Sequence, residues 1–222
     1  MKTTDSAVIE RIYLAGGCFW GIQHLLKQLH GLRSVTAGYV NSDVANPTYE
    51  MVKSGKTGAA EAVCVEYNAT VVDLEKLLTF FLESIDLTTK DAQGPDHGTQ
   101  YRSGIYYTTD SQKEVAYRLL HKMQEKEKHT IVTELLPEKN FTPAEDFHQD
   151  YLDKTPDGYC HISKGRVEAA RGHNILKPGA PTDAAHGDAN YANEAKHAPA
   201  HGHPYENDAV YPDTRYVNTP GK

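Results

Sequence analysis

The chain switches from a strand-like to a helix-like pattern across two glycines, and this break constrains the fold more than any other feature. Ile12-Tyr13-Leu14-Ala15 is a continuous apolar run. Beyond Gly16-Gly17-Cys18-Phe19-Trp20-Gly21, the residues Ile22, Leu25, Leu26 and Leu29 recur at i, i+3, i+4 and i+7, one face of a helix. So abrupt a change needs backbone free of Cβ restrictions, which the glycine pair supplies. Cys18 then falls at or just before the first helical turn. Unpaired N–H groups at such a position favour an anion, so a thiolate is expected there, with a pKa lowered from about 8.5 toward roughly 3.5–7.5. Position alone equally allows a buried structural cysteine.

The rest of the chain supplies the partners of this unit. Gly31 is well placed to stop the first helix, and residues 34–40 read as a second strand. Residues 41–58 carry Asn-Pro, Ser-Gly and Thr-Gly turn signals without a period, which predicts a long loop of the kind that often carries function. Residues 60–67 read as a strand with Glu61 at its start. Asp73 is placed to cap a helix whose face is Leu74, Leu77, Leu78, Phe81 and Ile85. An aperiodic stretch, 88–100, carries Asp96 and precedes a strand at 103–107. Ser111-Gln112-Lys113-Glu114 fits a capping box for a helix to about residue 128, followed by a strand at 130–136. Pro143 is expected to open a short helix to about residue 153, with Glu145 and Asp146 in its first turn. The resulting order is β-α-β-β-α-β-α-β-α. Its first six elements match the split βαβ pattern of ferredoxin-like two-layer folds, so the expected class is α+β, with an antiparallel or mixed sheet covered by helices.

Composition bounds the function. At 222 residues with 39% hydrophobic content, one sizeable core suffices. A net charge of −7 with no offsetting Lys/Arg cluster argues against nucleic acid as a partner. No stretch of about 18 apolar residues predicts a membrane span, and the start of the chain lacks a signal-peptide core, so a cytoplasmic monomer is expected. Three cysteines, Cys18, Cys64 and Cys160, with no CxxC pair, argue against a static disulfide framework and for catalysis or redox exchange. Cys64, between Val63 and Val65, reads as core packing. After Leu176 no Leu, Ile, Phe, Met or Trp occurs, and six of the eleven prolines follow. The expected boundary therefore separates a catalytic domain at 1–176 from a low-hydrophobicity coil extension at 177–222, either disordered or docked through Tyr191, Tyr205, Tyr211 and Tyr216. Its histidines, His186, His197, His201 and His203, could hold a transition metal, but without cysteine or helical spacing no metal site is expected.

The segment Gly17-Cys18-Phe19-Trp20-Gly21 resembles the catalytic signature of the A-type peptide methionine sulfoxide reductases. Further blocks agree in order and spacing: Gly38-Tyr39 with Pro47-Thr48-Tyr49, Thr57 to Val63, Asp96 to Ser103, Glu145 to Leu152, and Gly158-Tyr159-Cys160. The resemblance implies the same α+β fold and a reductase that returns methionine S-sulfoxide, free or within proteins, to methionine as repair of oxidative damage. It makes Cys18 the nucleophile, Glu61 the proton donor, and Tyr49 and Tyr101 the hydrogen-bond donors to the sulfoxide oxygen. Phe19 and Trp20 match residues that hold the substrate methyl group, with Tyr159 beside them, and Asp96 matches an aspartate that orders the site. Cys160 matches the resolving cysteine, which would form a disulfide with Cys18 that thioredoxin reduces. No cofactor is implied. His148, Asp150 and Tyr151 are expected to pack a helix. Departures from the family pattern are Ala60 where histidine is usual, Ile85 and Leu87 in a segment that usually reads His-Asp-Pro-Thr, and Pro95 for asparagine.

The chemistry suits these groups. Breaking an S–O bond needs a nucleophile for sulfur and a proton for oxygen; a thiol and a carboxyl group in an apolar pocket supply them. Two other readings stay open on the sequence: a different thiol catalyst with His148 as base, and a metal-binding protein using the distal histidines.

Overall fold

The computed structural model describes residues 7–180. The chain runs through β1 (Ile9–Gly16), α1 (Phe19–Leu26), β2 (Leu32–Val40), α2 (Tyr49–Lys53), β3 (Ala60–Asn68), α3 (Leu74–Leu82), β4 (Ala92–Gln93) and β5 (Asp96–His97). A 3-10 turn, Thr99–Tyr101, leads to β6 (Ser103–Tyr107), α4 (Asp110–Gln124), β7 (Glu134–Pro137), β8 (Thr142–Pro143), α5 (Tyr151–Lys154) and α6 (Lys164–Gly172). Residues 181–222, with the four distal tyrosines and the four histidines named above, lie outside the described residues.

Six strands form one mixed sheet in the order β7-β6-β1-β3-β2-β8. β1 pairs antiparallel with both β3 and β6, β2 with β3 and β8, and only β6–β7 is parallel. Strand alternation divides the two faces. Ile12 and Leu14 of β1, Val35, Ala37 and Tyr39 of β2, Val63, Val65 and Tyr67 of β3, and Ile105 of β6 point to one face, where α1, α3, α4 and α6 cover them in a single apolar core. Tyr13, Ala15, Val40, Ala60, Ala62, Cys64 and Tyr106 point to the other, where Phe141 packs on Tyr13 with ring centroids 4.9 Å apart. Cys64 is thus the packing residue the sequence suggests, and Ala60 fills a buried place in this second layer.

Several local expectations hold. Gly31 takes a left-handed conformation at φ +100, and Asp73 caps α3 by accepting from the Glu75 and Lys76 N–H groups. Others are corrected. α1 is regular only to Leu26, with tighter turns carrying the chain to Leu29. The stretch 41–58 is not all loop, because Thr48 accepts from the Met51 N–H and starts α2. α4 begins earlier than expected: Thr109 is the cap, and Gln112 both donates its N–H to Thr109 and accepts from the Thr108 N–H. The strand expected at 130–136 narrows to Glu134–Pro137. Pro143 opens no helix; it lies in β8 opposite Gly38, where a ring without N–H is tolerated on an outermost strand. α6, capped by the Ser163 hydroxyl, is an additional element that buries Val167 and Ala170. The end of the described chain is tied back to α3, with the Asp73 N–H donating to Ile175 O and the Lys177 N–H to Val71 O. Among the described residues no helix is long and apolar enough to cross a membrane.

Candidate active site

β1 delivers the chain to the turn at the rim of the helix-covered face. Gly17 holds φ +88 there, and a Cβ on it would come within 2.6 Å of the Gln93 side chain. Gln93 is itself fixed, accepting from the Asp86 N–H and donating to the Asp86 carbonyl. Cys18 follows as the N-cap of α1 and is only 8% exposed. Burial pushes its thiol pKa up, the negative charge of Glu61 adds to this, and the N–H groups of Trp20 and Gly21 oppose it without prevailing. The expectation of a lowered-pKa thiolate is therefore overturned. An eight-residue helix supplies too little field to offset desolvation beside a carboxyl group.

Glu61 reaches this turn because of strand parity. It shares a face with Val63 and Val65, the face on which α1 lies, and stands opposite Tyr39 in β2. It is 3% exposed, and its Oε2 accepts from the Phe19 N–H at 3.1 Å. Burial raises its pKa to about 8, against the Phe19 hydrogen bond and with a further push from Asp96. The carboxyl group is thus mostly protonated at neutral pH. Tyr49, at the first position of α2, and Tyr101, at the end of the 3-10 turn, face the same point. Both phenols are raised by burial first and then by the charges of Glu61 and Cys18. They remain O–H donors over the whole range in which Glu61 titrates.

The supports of these groups come from distant segments. Arg102 donates to Gly58 O and Thr99 O and pairs with Glu134 at 2.9 Å, which pins the turn that carries Tyr101. Asp96, in the β4–β5 ribbon, accepts from the Tyr159 hydroxyl at 2.8 Å. Burial raises Tyr159, and its bond to Asp96 and the nearby Cys18 raise it further. Cys18, Phe19, Trp20, Tyr49, Glu61, Asp96, Tyr101 and Tyr159 therefore converge. Cys160 is a free thiol that donates to Ile162 O at 3.4 Å, and it is not bonded to Cys18.

Two residues expected only to pack a helix also support the site. His148 packs against the starts of α1 and α2, as expected: it is buried among Phe19, Tyr49 and Phe147, with ring centroids 5.1, 4.5 and 4.2 Å away. Its Nδ1 accepts from the Trp20 indole N–H at 3.1 Å, so it orients the aromatic wall and is not aimed as a base at Cys18. Tyr151 stacks on Trp20 at 3.8 Å, completing that wall. Glu145 accepts from the Tyr49 N–H at 2.9 Å and the Tyr39 hydroxyl at 2.8 Å, which fixes the start of α2. The signal for these residues was the spacing of Glu145, His148 and Tyr151 by three, which keeps side chains of a turning segment on one side. Asp150 instead pairs with Lys27 at 2.7 Å.

A buried thiol, a neutral carboxylic acid, two phenol donors and an aromatic wall can together transfer an oxygen from a small polar S–O group to sulfur. The sequence profile of the family described as peptide methionine sulfoxide reductase matches residues 10–177. The chain is 46% identical over 156 residues to a peptide methionine sulfoxide reductase of Clostridium acetobutylicum, spanning 70% of this chain and 96% of that protein. A relative of the same description from Pasteurella multocida is 45% identical over 69% of this chain and 88% of its own length. Among solved structures, Mxr1 of Saccharomyces cerevisiae in reduced form superposes with TM-score 0.67 at 37% identity, covering 73% of this chain and 96% of that one. Methionine sulfoxide reductase A of Corynebacterium diphtheriae gives TM-score 0.62 at 34% identity, over 68% and 77%.

Proposed function

The chain belongs to the peptide methionine sulfoxide reductase family, and from that premise we propose that it reduces methionine S-sulfoxide, free or within polypeptides, with Cys18 as nucleophile. The observation that carries this reading is the pairing of a buried thiol with a carboxyl group whose pKa is raised to about 8. Glu61 in its neutral form imposes no like-charge penalty on Cys18 and has a proton to give. As it protonates the sulfoxide oxygen, with Tyr49 and Tyr101 donating to the same atom, the substrate sulfur becomes electrophilic. Cys18 loses its proton and attacks. The attack forms a bond between the two sulfurs, and the hydroxyl then passes from the substrate sulfur to that of Cys18: the substrate S–O bond and the S–S bond break, an S–O bond forms on Cys18 as a sulfenic acid, and methionine leaves; the Cys18 sulfur is oxidised by two electrons, the substrate sulfur is reduced by two, and the Glu61 proton is replaced by that of the thiol. The substrate methyl group rests on Phe19 and Trp20, the latter held between His148 and Tyr151. Cys160 then condenses with the sulfenic acid, and the disulfide is reduced by a dithiol protein of the thioredoxin type.

The core of the molecule reads as a ferredoxin-like unit, β1-α1-β2-β3-α3-β6. Support comes from the strand order β6-β1-β3-β2, from its three antiparallel pairings and from α1 and α3 sharing one core. The pocket is chiral, since methyl group, oxygen and lone pair each meet a different wall. With a dithiol reductant and no added metal, the protein is expected to consume the S epimer of methionine sulfoxide and leave the R epimer, and Cys18→Ser to abolish turnover. Equal rates on the two resolved epimers, or a Cys18→Ser variant with most of its activity, would contradict the assignment.

A further inference from the structure

His161 takes no part in the steps above, yet its ring is seated against the nucleophile turn. Its Nε2 lies 2.8 Å from the Gly16 carbonyl oxygen, so Nε2 carries the proton, because a carbonyl only accepts. Nδ1 then holds a lone pair; it is buried and has no partner among the described residues. The ring fills space that two glycines leave open. A Cβ on Gly17 would meet Nε2 at 3.0 Å, and one on Gly21 would meet Cε1 and Nδ1 at 2.9 Å. Burial lowers the pKa of the ring, in keeping with a neutral imidazole that donates only through Nε2. The residue before it is Cys160, and its acceptor Gly16 stands two residues before Cys18.

We propose that His161 is a positioning residue that tethers Cys160 to the nucleophile turn and so sets the rate and equilibrium of the Cys18–Cys160 disulfide. This rests on the reading of Cys160 as the resolving thiol. In that step the S–O bond of the Cys18 sulfenic acid breaks, an S–S bond forms, and the Cys160 proton leaves with the hydroxide as water. The thiol must first turn from the Ile162 carbonyl, its partner in the resting state. Adjacent Cα atoms are about 3.8 Å apart, so with the ring docked Cys160 searches only the immediate surroundings of the turn. Of the preceding residues, Thr155, Pro156 and Asp157 are exposed and form no strand or helix, and Tyr159 is exposed and held through its hydroxyl to Asp96 at the far end of a long side chain, so without the tether the thiol would search a larger volume.

The glutathione equilibrium tests the tether without methionine sulfoxide: the two protein thiols and oxidised glutathione give the protein disulfide and two reduced glutathiones. His161→Ala is expected to lower that constant by about tenfold or more, the loss of effective concentration on removing a close link. After a single turnover with sulfoxide it should slow disulfide formation by a similar factor, with the methionine burst within about twofold of wild type. His161→Gln, whose amide N–H can donate to Gly16 O, should restore most of both values. Gly21→Ala should reproduce the glutathione defect by driving a methyl group into the ring's space, which keeps the test decisive if His161→Ala does not fold. An unchanged equilibrium in the variants overturns the proposal, as does a burst that slows as much as the disulfide step, or a wild-type protein that forms no Cys18–Cys160 disulfide at any glutathione ratio. A wild-type protein with the expected equilibrium, shifted in the variants, but no methionine burst would sink the reductase reading and leave the tether standing.

Discussion

In the proposed mechanism Glu61 couples the chemistry to the fold through one proton. Its carboxyl group must be neutral to act as acid, so sulfoxide reduction should fall as pH rises through about 8. The same raised pKa makes a stability statement. A carboxyl group whose folded pKa lies above its unfolded value contributes its stability fully below the unfolded pKa, and that contribution is lost as pH rises through the folded one. For Glu61 the window runs from the ordinary 4.5 to about 8, and the swing is on the order of 4–5 kcal/mol. Glu61→Gln keeps an acceptor for the Phe19 N–H and cannot ionise. It should flatten the dependence of unfolding temperature on pH between about 5 and 9 and slow the single-turnover rate by roughly 10²–10⁴. A rate within about threefold of wild type would remove Glu61 from the mechanism. The identity of these groups was legible in the sequence, because each stands in a block with its own wording. The protonation of Cys18 was not, since it depends on how deeply α1 is buried and on a carboxyl group 43 residues away along the chain.

At the scale of elements, the site depends on a helix of five residues. α2 presents Tyr49, and its first N–H groups are satisfied by the Thr48 hydroxyl and the Glu145 carboxylate. Glu145 is held below the ordinary carboxylate range: burial opposes this, and the hydrogen bonds from the Tyr49 N–H and the Tyr39 hydroxyl outweigh it. Glu145→Ala leaves both donors without their acceptor. The expected result is a loss of about 1–3 kcal/mol in stability and a fall in kcat/KM of tenfold or more, with Glu145→Gln intermediate. Unaltered kcat/KM in a folded Glu145→Ala protein would show that Tyr49 needs no such support. Long periodic elements such as α3 and β3 were legible because their apolar positions repeat over several turns or alternations. α2 and β8 were not, because five and two residues are too short to show a period. Pro143 misled for a physical reason: a residue without an N–H suits a helix start and an outer strand alike.

For the whole molecule, the sheet, its helical layer and the converging side chains all lie among the described residues, and the chain at Leu176 and Lys177 is still bonded to the domain, through Lys76 Nζ to Leu176 O and the Lys177 N–H to Val71 O. A protein shortened to residue 180 should therefore fold and reduce methionine sulfoxide within about fivefold of the full chain, the tolerance expected for loss of a segment of low apolar content. Loss of turnover with an intact fold would assign catalytic work to residues 181–222. The outermost strands have a consequence of another kind. β7 has four residues and ends in Pro137, and β8 has two and ends in Pro143, so neither border of the sheet offers a continuous row of free N–H groups. A loosened polypeptide presents unpaired strands that graft readily onto any open sheet. On the function proposed above, a protein that holds such chains at Cys18 and lets them go would thereby be protected from aggregating with its own clients.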